Sequence, residues 1–521
     1  MVGDDAVGPV SPDGGSAALE LALLQFTAVG CDELRDELLS SDTRTVTHTQ
    51  SVLESLQEFT QLVRTTDATA FFAQHKAVVA VVKEICRILT AYVSTVAADQ
   101  SEDVAVFLRL DDNLVPLMGF LGAFTDRMQL GKQEPSECQA HDEVYEPKEL
   151  LRWIPFVASA CSYIVCSYVP AADAMRSFTE ADRILTTCET IAATKSRSEL
   201  FARYIEQLVA LFSQSTSKEA WVNQHSIPKH VLLWITIQVP FPHLGGDVLG
   251  RLLALVFPLI DDLHDATQLV GARMLHHVVH NVTSTELRWY SNVLLEVLRV
   301  AITSRKQDTI DVLLECLSTA LDKLSPPSEF AHYDKLFPRL LNDTSLCSDV
   351  TIRIVFLRRL RPMIMRMGAP NSIHLIRYLQ PLLKVIIATF ESINVPLLVE
   401  TLETLRVTIL CAWPRIPSHT EEVFVGVMRA VAFCEVFNDA SADQMPNPDE
   451  KASILARCED ILGLLHDLDT PGRDEAAAVV DSHGGNANQS HASVLEMLQD
   501  VGSGCAPLRP FCDRMRATFC P

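Results

Sequence analysis

A chain of 521 residues with 48% hydrophobic and 21% charged residues can bury a large core without a disulfide or metal staple. Its formal net charge of −23 at pH 7 excludes a broad phosphate-binding surface, so no nucleic acid is expected as a partner. The 14 cysteines, among them Cys86, Cys166, Cys316 and Cys411 inside apolar runs, are not spaced as a disulfide framework. They read as buried thiols in a reducing compartment.

In chain order, residues 1–15 are acidic and rich in Gly and Pro, without a basic segment followed by an apolar one, so disorder and no signal peptide are expected. The glycosylation sequons at Asn281 and Asn342 carry little weight without secretion. Apolar residues at Val52, Leu53, Leu56, Phe59, Leu62 and Val63 predict a helix. A second stripe runs from Val78 through Val81, Val82, Ile85, Ile88, Leu89, Tyr92 and Val93 to Val96. Gly131 to Lys148 is polar and predicts a loop. Trp153 to Ala172 has no charged residue and approaches the length of a membrane span. Pro155, Pro170, Ser159, Ser162 and Ser167 lower its hydrophobicity, so a buried helix is expected and no membrane partner. Val231 to Val239 predicts a buried helix ending at Pro240 and Pro242. Residues 16–245 thus read as a divergent helical region.

From Gly246 the chain repeats. Four first helices begin at Leu252-Leu253-Ala254-Leu255, Leu294-Leu295-Glu296-Val297, Leu336-Phe337-Pro338-Arg339 and Leu379-Gln380-Pro381-Leu382, offset by 42, 42 and 43 residues. Second helices follow in step, at Leu269–Val279, Ile310–Leu321, Val350–Leu360 and Val395–Leu410. A period in this range belongs to two-helix HEAT or armadillo units. In the second unit, Leu294, Leu295, Val297, Leu298 and Ile302 line one helix. Ile310, Leu313, Leu314, Leu317, Leu321 and Leu324 line the next. Thr283 and Glu286 have capping-box spacing, and Ser325-Pro326-Pro327 ends the unit. A lone helical hairpin cannot bury both apolar faces, so neighbours must stack. The fold class is all-α, a HEAT/armadillo-like α-solenoid with its clear repeats in 246–437. Residues 438–521 hold C-terminal helices, with breaks at Asn438–Glu450 and a disordered insertion at 469–493. A short helix follows at Val494–Val501, and the tail carries Cys505, Cys512 and Cys520 without metal-ligand pairing.

One stretch carries a resemblance. Phe257-Pro258-Leu259-Ile260-Asp261-Asp262, then Gln268-Leu269-Val270-Gly271-Ala272-Arg273-Met274-Leu275-His276-His277-Val278-Val279, continues through Thr285-Glu286-Leu287. It is similar to the Tel-two-interacting protein two family over Leu244 to Leu321, less closely to Pro417. Gln268 stands where a basic residue would be expected, and residues 1–230 match no motif of the family. The resemblance implies a non-catalytic helical-repeat subunit of the Triple-T co-chaperone complex. Its partners would be Tel-two-interacting protein one and Tel-two. Through them it would support chaperone-dependent maturation of phosphatidylinositol-3-kinase-related kinases, in cytoplasm and nucleus.

Candidate partner-binding residues are Asp261, Asp262, His276, His277, Arg358, Arg359 and Arg361. Asp261 and Asp262 close a helix and suit a cap and turn, or an exposed contact at a solenoid edge. Gly271, early in a helix, costs about 1 kcal/mol relative to Ala and implies close helix packing. His276 and His280 share a helix face, but the metalloprotease pattern needs Glu where His277 stands, so packed or capping histidines are expected. Arg353, Arg358, Arg359, Arg361 and Arg366 form a basic run, either paired with acidic neighbours or a dock for an acidic segment. No phosphate-cradling glycine loop or nucleophile elbow occurs, and Cys161 and Cys166 are too far apart for a redox pair. No enzyme, cofactor or metal is therefore expected. The rival readings are a HEAT scaffold of another class, for transport or a phosphatase, and a zinc hydrolase built on the histidine helix.

Overall fold

The computed structural model describes residues 12–27, 30–39, 46–96, 104–133, 151–166, 176–213, 218–223, 226–303, 306–392, 394–436, 446–480 and 493–520. Among these, helices and turns are the only regular structure, and the chain forms two compact units, Met1–Glu286 and Leu287–Pro521. In each unit helical hairpins stack side by side, the all-α solenoid arrangement.

The first unit contains α1 (Pro12–Thr27), α2 (Gly30–Leu39), α3 (Val46–Thr65), α4 (Ala68–Ala73), α5 (His75–Val96) and α6 (Val104–Gln133). It continues with α7 (Ile154–Val165), α8 (Arg176–Ala192), α9 (Arg197–Ser213), α10 (Lys218–Asn223), α11 (Ser226–Ile237), α12 (Gly246–Ile260) and α13 (Asp265–His280). The stripe on α5 is buried at every position from Val78 to Val93 that the spacing picked out. An aromatic spine links the layers: Phe26 stacks on Phe59 at 5.3 Å, Phe59 meets Phe120 at 5.1 Å, and Phe124 meets Trp153 edge-on at 4.9 Å. Asp111 on α6 reaches sideways to cap α8, accepting from the Ser177 N–H at 2.9 Å, so one carboxylate both ends a helix and ties two together.

Several expected boundaries move. Helix α1 starts at Pro12, inside the segment expected to be disordered, and residues 1–11 lie outside the described residues. Helix α6 runs on through Gly131 to Gln133, three residues into the expected loop, although its last buried residue is Met128. The rest of the expected loop lies outside the described residues. The uncharged segment forms the buried helix α7, shortened to Ile154–Val165, and residues 167–175 lie outside the described residues. Among the described residues no helix is long and apolar enough to cross a membrane.

Helix α14 (Ser284–Arg288) carries the boundary between the units. The second unit contains α15 (Ser291–Ala301), α16 (Gln307–Leu324), α17 (Ala331–Leu346), α18 (Val350–Met367), α19 (Leu379–Thr389) and α20 (Val395–Ala412). It ends with α21 (Thr420–Glu435), α22 (Pro448–Val480), α23 (Val494–Gly504) and α24 (Arg509–Phe519). The four first helices are α12, α15, α17 and α19, and the four second helices are α13, α16, α18 and α20, as the period predicts. Within the second unit, α16 packs on α18, α18 on α20 and α20 on α22. Leu313, Leu314, Leu317 and Leu321 of α16 are buried there. Each is worth about 1.5–3 kcal/mol, which an isolated hairpin would forgo. Asp349 caps α18 through the Thr351 N–H at 2.8 Å, and Asn394 caps α20 through the Leu397 N–H at 3.0 Å. Helix α22 extends to Val480, into the segment expected to be a disordered insertion from 469, while residues 481–492 lie outside the described residues.

Most of the thiols follow the same burial, but Cys166, expected to be buried, is half-buried, as are Cys347 and Cys505, and Cys520 is exposed. Cys31, Cys86, Cys161 and Cys188 are buried in the first unit, and Cys316, Cys411, Cys434, Cys458 and Cys512 in the second. Burial pushes the Cys31 thiol up to about 11 and the Cys188 thiol to about 12.

Candidate functional site

The turn between α12 and α13 is built from the inside. Exposed Asp261 ends α12, its N–H reaching the Phe257 carbonyl at 3.3 Å. Asp262 turns inward: its Oδ1 accepts from the His264 N–H at 2.9 Å and lies 3.0 Å from His264 Nδ1. Burial pushes the Lys229 ammonium down, and the charge of Asp262 opposes that. Lys229 Nζ donates to the Val222 carbonyl at 2.7 Å. Gln268 Nε2 donates to the Ile260 carbonyl at 2.9 Å, so a neutral amide satisfies the helix end where a basic residue was expected. A Cβ on Gly271 would stand 2.9 Å from Leu259 Cβ and 3.0 Å from Ile260 N, so α12 and α13 touch at the glycine.

The histidines face different surroundings. His277 Nε2 lies 2.9 Å from the Val239 carbonyl. A carbonyl only accepts, so Nε2 carries the proton and the ring ties α13 to the end of the α11 turn. Burial lowers the His277 pKa, which favours that neutral ring. His276 is half-buried, and its ring centroid is 6.5 Å from that of exposed His280. Among the described residues no three His, Cys, Asp or Glu side chains are grouped to hold a metal ion.

The structure brings the arginines of α18 together and pairs them within the unit. Arg358 donates to Glu400 Oε1 of α20 at 3.0 Å, and Arg361 donates to Oε2 of the same carboxylate. Arg359 turns the other way, donating to Asp311 at 2.6 Å and Glu315 at 3.2 Å on α16. Arg366 reaches the Ser325, Pro326 and Pro327 carbonyls, each at 3.3 Å. Arg406 of α20 continues the series to Asp460 of α22 at 2.5 Å. Arg358, Arg359, Arg361 and Arg366 of the basic run thus tie successive repeats, whereas Arg353 donates to the Cys347 carbonyl at 3.0 Å, just before its own helix.

The exposed apolar residues are the surface that sequence reasoning missed. Trp289 is 86% exposed, Val293 56% and Val300 46%, all on the outward side of α15 or the turn that starts it. The signal is a second apolar set on a helix whose Leu294, Leu295 and Leu298 already face inward. Met365, Ile373, Leu410 and Trp413 are also exposed, spread over the ends of α18 and α20 and the turns after them.

No family model matches the chain. It is 25% identical over 271 residues to the human protein "TELO2-interacting protein 2", covering 50% of this chain and 51% of that one. The mouse protein of the same name is 24% identical over 272 residues, with the same coverage. The chain thus spans about half the length of the curated relatives it matches. Among solved structures, Kap121p bound to Nup53p is 12% identical with a TM-score of 0.43, covering 98% of this chain and 47% of that chain. That likeness is too loose to bear on function.

Proposed function

We propose that this chain is a non-catalytic adaptor subunit of a Triple-T-type complex, acting in cytoplasm and nucleus. The observation that carries this reading is the similarity over about half the chain to proteins named for their interaction with TELO2. A stacked helical scaffold suits the role, because it offers long surfaces to protein partners and binding rests on a few anchors within them. Its partners are the counterparts of TELO2 and of Tel-two-interacting protein one. Through them it supports chaperone-dependent maturation and stability of phosphatidylinositol-3-kinase-related kinases.

The test is purification of the tagged full chain from its own cells at moderate salt, read by mass spectrometry. The two counterpart subunits are expected in near-equal amounts, with the large kinases in lesser amounts. Recovery of the chain without either subunit sinks the adaptor reading, and a helical scaffold of another class takes its place.

A further inference from the structure

We propose that the outward face of α15 docks an amphipathic helix of a partner protein, with its apolar face on Trp289, Val293 and Val300 and a carboxylate beside Arg288. This rests on the adaptor reading and gives it a surface. Val293 and Val300 are seven residues apart and share one side of α15, and Trp289 lies in the turn that starts the helix, four residues before Val293. From Val293 to Val300 the helix rises about 10 Å, which matches about two turns of a second helix. A tryptophan left 86% exposed forgoes the largest burial gain any side chain offers, and Trp and Arg are the residues that dominate protein interfaces. The Met365, Ile373, Leu410 and Trp413 group lies on several elements and presents no such single face.

Charge selects the occupant. Arg288 is exposed next to Trp289 and has no carboxylate partner among the described residues. Glu296, beside the middle of the stripe, is held by Arg299 at 2.7 Å. The Trp289 end is therefore positive and the centre neutral, on a chain whose net charge is −23. An incoming helix with an acidic residue at the Trp289 end is favoured, while the paired centre adds no charge preference. The docking mode is a helix face read through anchors at helical spacing.

The test uses the full chain and the purified counterparts of TELO2 and Tel-two-interacting protein one, titrated together. Two variants are compared with the parent: the double Trp289→Ser/Val293→Ser, and Arg288→Glu. Because these side chains are exposed, the melting transitions of the variants are expected to match the parent, which separates binding from folding. The double variant is expected to bind about thirtyfold more weakly or worse, the scale of losing an interface anchor. Arg288→Glu is expected to weaken binding several-fold, with the deficit shrinking in high salt. If the parent binds and both variants bind equally well, the stripe is not the dock, and the adaptor reading survives. If the parent binds neither counterpart, the adaptor reading falls and this assignment with it. If the parent instead self-associates in sedimentation and the double variant does not, the occupant is a second copy and the proposal is overturned.

Discussion

Gly271 sits where α12 and α13 come closest, and adding one methyl group there sets two effects against each other. Gly271→Ala removes a helix penalty of about 1 kcal/mol. It also places a Cβ 3.0 Å from the Ile260 backbone nitrogen, which cannot swing aside as a flexible side chain would. Overpacking of this kind costs about 1–3 kcal/mol, so net destabilisation and a lower melting temperature are expected. An unchanged or raised melting temperature would mean the helices can part. The close approach was legible as an unexplained glycine inside a helix. The target of His277 was not, because Val239 lies 38 residues away and only folding brings its carbonyl within 2.9 Å. His230 adds a pH dependence at the same scale. Burial, then the charges of Lys229 and Arg273, pushes its imidazole down to about 4. The unfolded chain takes up that proton near pH 6.5, so it binds more protons than the fold between the two values. Stability is therefore full above about pH 6.5 and falls as the pH drops towards 4, by on the order of 3 kcal/mol from this group. Denaturant midpoints at pH 7.5 and 5 measure it, and His230→Phe is expected to flatten the difference.

Helix α18 takes its place through arginines that reach both neighbours. Arg358 and Arg361 grip Glu400 on one side, and Arg359 grips Asp311 and Glu315 on the other. The side chains of Arg361 and Glu400 are about one-fifth exposed, so removing one leaves the other short of both partner and water. Glu400→Gln is expected to destabilise the second unit by about 1–3 kcal/mol. A double-mutant cycle with Arg361→Met is expected to recover a coupling of about 1 kcal/mol, weaker at high salt. A cycle without coupling would show that the pairing carries no energy. Charge reversal at these arginines accordingly tests stability before it tests recognition. The basic run was plain in the sequence, and its purpose was nearly so. Arg358 and Glu400 are 42 residues apart and Arg359 and Glu315 are 44 apart, each close to one repeat. A period read from leucines thus also locates the carboxylates, once charges are compared one repeat away.

Over the whole molecule, legibility follows regularity. The helix pairs from α12 to α20 recur at nearly fixed length, so the same contacts return at the same spacing and the repeat can be read. The first unit mixes the 30-residue α6 with the six-residue α4 and α10, and no single period can describe that stacking. Its packing comes instead from aromatic contacts between distant segments, such as Phe59 with Phe120, which leave no local trace. The buried cysteines turn this architecture into its own stopwatch. An alkylating reagent attacks only a thiolate, so Cys188 in one unit and Cys316 in the other react no faster than their surroundings open. Equal labelling rates at the two, followed by peptide mass spectrometry in native buffer, would mean the chain breathes as one cooperative body. A large difference would identify which half yields first when a cell's quality-control machinery tests it.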